Sequence, residues 1–175
     1  NTASGFESMY SNTTGEYNTA IGSGAMFSNT TGTRNIAIGF GSMYSNTTGE
    51  ANSVIGRDAL YFNTTGVNNT ASGDNALYSN TTGSGNTAIG RSAGTYTNAG
   101  AANQTSSNSV YVGMDASAAA SGDTNEIVIG YSAQGLGSNT AVLGNDSIIT
   151  TQLKGNVGIG TTTPSTKLQV NGRIK

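Results

Sequence analysis

Five aromatic side chains recur at steps of seventeen residues: Tyr10, Phe27, Tyr44, Tyr61 and Tyr78. A file of rings at a fixed step is a candidate platform for stacking sugars, or a packing ladder at a surface. The same step carries paired threonines, Thr13–Thr14, Thr30–Thr31, Thr47–Thr48, Thr64–Thr65 and Thr81–Thr82. On coils stacked about 4.7–4.8 Å apart they would form a regular hydroxyl array. Such an array suits either turn hydrogen bonding or ice binding. Each pair follows an asparagine (Asn12, Asn29, Asn46, Asn63, Asn80), so every unit carries the acceptor pattern for N-glycosylation. The alternative is that Asn and Thr satisfy the backbone of a turn. The acids Glu7, Glu16, Glu50, Asp58, Asp74, Asp115, Asp123, Glu126 and Asp146 form no Asp-rich calcium motif and no repeating pair. They read as surface charge. The glycine-rich stretch 155–160 lacks a P-loop lysine.

Other chemistries are excluded by composition. The chain has no Cys and no His, which removes thiol nucleophiles, disulfides, the usual zinc sites and imidazole acid–base catalysis. No metal and no cofactor is expected, and no enzyme. The 175 residues include seven basic side chains, scattered except for Lys167, Arg173 and Lys175 near the C-terminus. Nucleic acid and polybasic membrane contact both need clustered Lys and Arg. No apolar run approaches the roughly 20 residues of a membrane helix. Only 9% of the residues are charged and Gly, Ser, Thr and Asn abound, a bias shared with disordered chains. Disorder gives no reason to hold Ile, Met and Tyr at fixed places.

The elements that position these residues follow from the repeat. Units 1–17, 18–34, 35–51, 52–68 and 69–85 run without a gap in the form N-x-A-I-G-x-x-A-M-Y-S-N-T-T-G-x-x. Gly5, Gly22, Gly39, Gly56, Gly73 and Gly90 form one glycine file, and 15, 32, 49, 66 and 83 a second. Gly and Asn accept left-handed backbone at low cost, so these points predict two turns and two short strands per unit. Seventeen residues are too few for two helices and a loop. The expected fold is all-β, a β-solenoid or β-roll with one unit per coil.

In the first strand, Thr19 and Ile21 and their equivalents share one face, and Ala20 and its equivalents the other. Neither face carries charge, so the strand is expected to be covered on both sides, by its own coil and by a partner. The alanine face is the one assigned to other chains, in a closed oligomer. In the second half, Met9, Met26, Met43, Leu60 and Leu77 are expected in the core, opposite the aromatic file.

The regular solenoid is read over 1–90, an irregular loop over 91–107, degenerate coils over 108–160 and a connector strand over 161–175. The later strands are Asn108 to Gly113, Asn125 to Gly130, Asn139 to Gly144 and Asn156 to Gly160. Their larger apolar residues suit capping coils. The connector holds the single proline, Pro164, and an Asn171-Gly172 turn. About ten coils would span on the order of 45–50 Å.

The N-x-A-I-G-x-x-A units resemble the head repeats of trimeric autotransporter adhesins. The N-T-T-G form resembles repeats of bacteriophage and bacterial tail-fibre-like proteins. Residues 155–164 with 167–172 resemble the junction that, in such fibres, precedes a self-cleaving intramolecular chaperone domain, which this sequence does not contain. The resemblance implies a homotrimer, three chains side by side in a left-handed β-roll, with no membrane insertion. The expected role is a structural and adhesive segment of an extracellular fibre, on a virion tail or a bacterial surface. It would present a receptor-binding region to a cell-surface glycan or protein. The aromatic file Tyr10, Phe27, Tyr44, Tyr61 and Tyr78 is the candidate contact. The alternatives are an ice-binding solenoid using the Thr-Thr array, or a fibre-borne polysaccharide depolymerase with carboxylates at subunit clefts.

Overall fold

The computed structural model describes residues 1–148, 150–151, 155–159 and 161–170. Among them are eleven three-residue strands and no helix. Nine build one parallel sheet in sequence order: β1 (Thr2–Ser4), β2 (Thr19–Ile21), β3 (Ile36–Ile38), β4 (Ser53–Ile55), β5 (Thr70–Ser72), β6 (Thr87–Ile89), β7 (Val110–Val112), β8 (Ile127–Ile129) and β9 (Ala141–Leu143). Each residue pairs with its equivalent one coil on, as Ala20 with Ala37 and Ala37 with Val54. The fold is a β-solenoid of one strand per coil. Nine strands at about 4.8 Å place the first and last about 38 Å apart, shorter than the ten-coil expectation. The missing coil is the last one: β10 (Val157–Ile159) pairs with β11 (Leu168–Val170), outside the main sheet. The Asn171-Gly172 turn lies outside the described residues.

The second strand expected in each unit is absent from the regular coils. Residues between the strand and the N-T-T-G segment form consecutive turns whose backbone alternates in hand. Left-handed positions recur at Glu7, Gly24, Gly41, Asp58 and Asn75, and again two residues on at Met9, Met26, Met43, Leu60 and Leu77 (φ 51–55° for these five). A third set occupies Tyr17, Arg34, Ala51, Asn68 and Gly85. The Met/Leu file is nevertheless the core, as expected, and Met26, Met43 and Leu60 are fully buried. Its backbone explains why side chains unbranched at Cβ fill it. At φ near +52° a β-branched residue meets its own backbone.

The strand faces are the reverse of the expectation. Ala20, Ala37, Val54, Ala71 and Ala88 point into their own coil and are buried. The Thr/Ile face points out, with Ile21 42%, Ile55 50% and Leu143 61% exposed. The reason is space. A seventeen-residue coil that already encloses a Met or Leu and two asparagines has room on the facing strand for an alanine or, beside Leu60, a valine, not for an isoleucine.

One coil confirms this by exchange. Between β6 and β7 the step is 23 residues, and Tyr111 takes the alanine position, fully buried. Gly94 stands seventeen residues after Leu77, at the Met/Leu position with φ 68°. A Cβ on Gly94 would lie 2.7 Å from the Tyr111 ring. Large and small have changed sides. The coil also projects a short hairpin, with Tyr96 bridged to Ala102, where a loop was expected.

The first glycine file is demanded twice, by dihedral and by contact. Gly39 has φ 137°, and a Cβ there would stand 2.6 Å from the Gly56 carbonyl carbon. The second file, Gly15 to Gly83, is not left-handed; there a Cβ would strike the asparagine three residues before, as at Gly32 with Asn29 Oδ1 at 2.5 Å.

Met43→Ile is expected to destabilise the coil by about 1–3 kcal/mol through its left-handed backbone. Met43→Leu copies Leu60 and Leu77 and should stay within about 1.5 kcal/mol of the parent. Urea unfolding of the two variants separates this dihedral effect from a volume effect.

Candidate functional site

The asparagines of the N-T-T-G segment form a ladder through the interior. Asn29 donates through Nδ2 to Asn12 Oδ1 (2.8 Å), Asn46 to Asn29 (2.8 Å), Asn63 to Asn46 (2.8 Å) and Asn80 to Asn63 (2.9 Å). The same nitrogens also donate to the glycine carbonyl three residues on, as Asn46 to Gly49 at 3.1 Å. Asn29, Asn46, Asn63 and Asn80 are fully or almost fully buried. A glycosyl transfer to that nitrogen needs it free and accessible, and here it is neither. The sequon is a turn and ladder element.

A second asparagine file clasps each coil. Asn35 Nδ2 donates to Gly49 O (2.8 Å), tying the start of the coil to its end, while Asn35 Oδ1 accepts from the Asn52 amide (3.0 Å) of the next coil. The left-handed tolerance of Asn is not what these positions use, since neither file has positive φ. In the later coils the clasp changes residue. Counting back four from the glycine gives Ser109 and Glu126, whereas Asn108 and Asn125 fall one position earlier at left-handed turns.

Glu126 corrects the reading of all acids as surface charge. It is fully buried. Its Oε1 accepts from Gly137 N (2.9 Å) and Ala119 N (3.4 Å), and its Oε2 from the Tyr111 hydroxyl (3.4 Å). It performs the clasp with reversed polarity, accepting from an amide where Asn donates to a carbonyl. The four-residue count back from Gly130 was the available signal. Elsewhere the acids are exposed or paired outward, with Asp74 bound to Arg57 (2.6 Å) and Asp115 to Arg91 (3.1 Å). Among the described residues no three metal-ligating side chains converge.

The aromatic file is a continuous stack. Centroids are 5.2 Å apart for Tyr10–Phe27, 4.9 Å for Phe27–Tyr44, 5.0 Å for Tyr44–Tyr61 and 5.4 Å for Tyr61–Tyr78. The first three pairs are within 5° of parallel, and the last tilts by 27°. Interior rings cover each other's faces, so only their edges and the outer face of Tyr10 are open to a ligand. Burial, then the neighbouring rings Tyr44 and Tyr78, raises the pKa of Tyr61 above its ordinary 10.0. Tyr111 is raised likewise by burial, and further by the Glu126 charge. The stack ends at Thr95, whose hydroxyl accepts from Tyr78 N (3.2 Å).

The threonines divide into two files. The inner hydroxyls are used: Thr30 donates to Thr47 O (3.0 Å) and Thr47 to Thr64 O (3.0 Å). The outer file Thr14, Thr31, Thr48, Thr65 and Thr82 is exposed. Half of the array required for ice contact is therefore committed to the backbone.

Asn46→Ala leaves Asn29 Oδ1 without its donor and Asn63 without its acceptor, and should cost about 1–3 kcal/mol. Thr48→Ala, in the outer file, should change stability by no more than about 0.5 kcal/mol. Because the fold raises the Tyr61 and Tyr111 phenol pKa values, their contribution is complete below the unfolded value of about 10 and is lost as pH rises through the folded values. Denaturation midpoints should fall in that alkaline window, and Tyr61→Phe with Tyr111→Phe should reduce the fall.

Comparison with protein-family models, with curated proteins and with solved structures gave no match.

Proposed function

We propose that this chain is a structural and adhesive segment of a trimeric extracellular fibre, with three solenoids packed side by side in a left-handed β-roll. The observation that carries the reading is the outward strand face. Ile21, Ile36, Ile55, Ile89, Ile127, Ile129 and Leu143 are exposed along one sheet whose outward positions carry no charged residue. An uncharged apolar file of this length marks a protein contact. Burial of each such side chain is worth about 1.5–3 kcal/mol when complete. The resemblance of the N-x-A-I-G units to trimeric adhesin heads supplies the chain number. The role is mechanical rather than catalytic: a rod with a ladder through its centre spaces a receptor-binding region from the particle or cell that bears it. Weak contacts repeated on three chains would add by avidity.

Sedimentation equilibrium at micromolar concentration should give three times the chain mass. Ile36→Asp with Ile55→Asp, both on the outward face, should yield a folded monomer. A monomeric parent would remove the trimer. Absence of labelling of any bacterial cell by the assembled segment would leave the spacer role and remove the adhesive one.

A further inference from the structure

The repeat is broken at two places, and both border one groove. Position 11 of each unit is serine (Ser11, Ser28, Ser45, Ser79) except in the fourth, where Phe62 stands. The ring is 44% exposed and packs edge-to-face against Tyr61 (4.9 Å) and Tyr78 (5.0 Å). Two coils further on, the long coil carries its hairpin, with Ala102 beside Tyr96. Its residue Gln104 takes over the ladder position of the inner threonines, its carbonyl accepting from Thr81 N (2.8 Å). Between Phe62 and this coil lies a groove of about 410 Å³, lined by Ser45, Phe62, Thr64, Ser79, Thr81, Ala102 and Gln104.

The lining is chemically uniform in one respect: none of it is ionisable. It joins one aromatic ring to hydroxyls and a carboxamide. Ser79 is 8% exposed, so nine-tenths buried. Among the described residues its hydroxyl has no hydrogen-bond partner, nor do the Ser45 hydroxyl and the Gln104 carboxamide. These polar groups open onto the groove, where a ligand can bond them in place of water. The Thr64 and Thr81 hydroxyls donate to Thr81 O (3.1 Å) and Gln104 O (3.1 Å), which leaves their oxygens free to accept. The volume lies within the roughly 300–1,000 Å³ of small-ligand clefts.

We propose that this groove is a binding site for a neutral saccharide, with one sugar ring against Phe62 and its hydroxyls on Ser45, Ser79 and Gln104. A pyranose has the matching surface, apolar C–H on one face and hydroxyl groups around its rim. A fatty chain would leave the serines unpaired, and an ionic ligand would find no counter-charge. The groove adjoins the aromatic stack through Phe62 but is lined by none of the five stacked rings. None of its residues lies on the outward strand face that carries the trimer proposal. It gives the adhesive reading a ligand class and rests on that reading for its biological use, while the binding itself does not depend on chain number.

The test is saturation-transfer NMR of the assembled chain with maltose, cellobiose, lactose, mannobiose and chitobiose, followed by titration of any that respond. At least one is expected to bind and to shift Phe62 resonances. Phe62→Ser restores the residue of the other four units, so its fold is safe. It should weaken binding by about tenfold or more, the equivalent of one aromatic contact of about 1.4 kcal/mol. Gln104→Ala should weaken it less, and Tyr10→Ser not at all. Silence from all five sugars overturns the site, as does binding that survives Phe62→Ser unchanged or falls instead with Tyr10→Ser. Sedimentation of the same samples reports the trimer separately, so either proposal can fail alone.

Discussion

Every coil of this protein depends on amides that cannot be satisfied within it. A buried carboxamide must find both donor and acceptor partners or cost about 1–3 kcal/mol. Asn46 finds them in three places: Asn29 below, Asn63 above and Gly49 in its own turn. The backbone follows the same rule, as Thr30 N bonds Thr47 O and Met26 N bonds Ser42 O. The hydrogen-bond direction is therefore along the axis of the stack. This accounts for a soluble-looking composition, low in large apolar side chains, producing a packed interior. The buried side chains divide almost evenly between apolar and polar, with asparagine the commonest of the polar ones.

The tight interior then sorts the side chains. Opposite a Met or Leu only small residues fit the strand's inner face, and residues unbranched at Cβ occupy the left-handed turn. The isoleucines of the strands have one place left, the outside of the sheet. The Ile and Thr that a periodicity argument would put in a core are displaced by geometry rather than by polarity. The outward apolar face is a by-product of coil size as much as a surface for partners.

Much of this was legible in the chain itself. The period, the all-β solenoid, the Met/Leu core and the aromatic ladder follow from columns of like residues, because parallel in-register stacking places like on like. What was not legible is which way each column points. Alternation assigns faces only relative to one another, and a run of turns with positive φ has no period-two pattern. Met at φ 53° is the instance: nothing in its side chain announces a left-handed backbone. Glu126 and Gly94 were missed for a different reason. Each is readable only by counting from the glycine file, since the neighbouring asparagines Asn108 and Asn125 imitate the clasp one position too early. The groove at Phe62 is lined from two irregular coils with a regular one between them, which no single-unit comparison reveals.

The asparagine ladder also has a direction. Each Nδ2 donates toward the coil before it, so the carboxamides of Asn29, Asn46, Asn63 and Asn80 align head to tail. A regular coil meets the same surface above as it offers below. Removing or inserting one whole unit within residues 1–34 therefore leaves every type of contact intact and changes the rod by a single rise. A gene that gains or loses the 51 nucleotides of one unit there still encodes a properly closed stack. The length of the rod is thus a quantity that inheritance can adjust in steps, while the groove and the long coil beyond keep their structure.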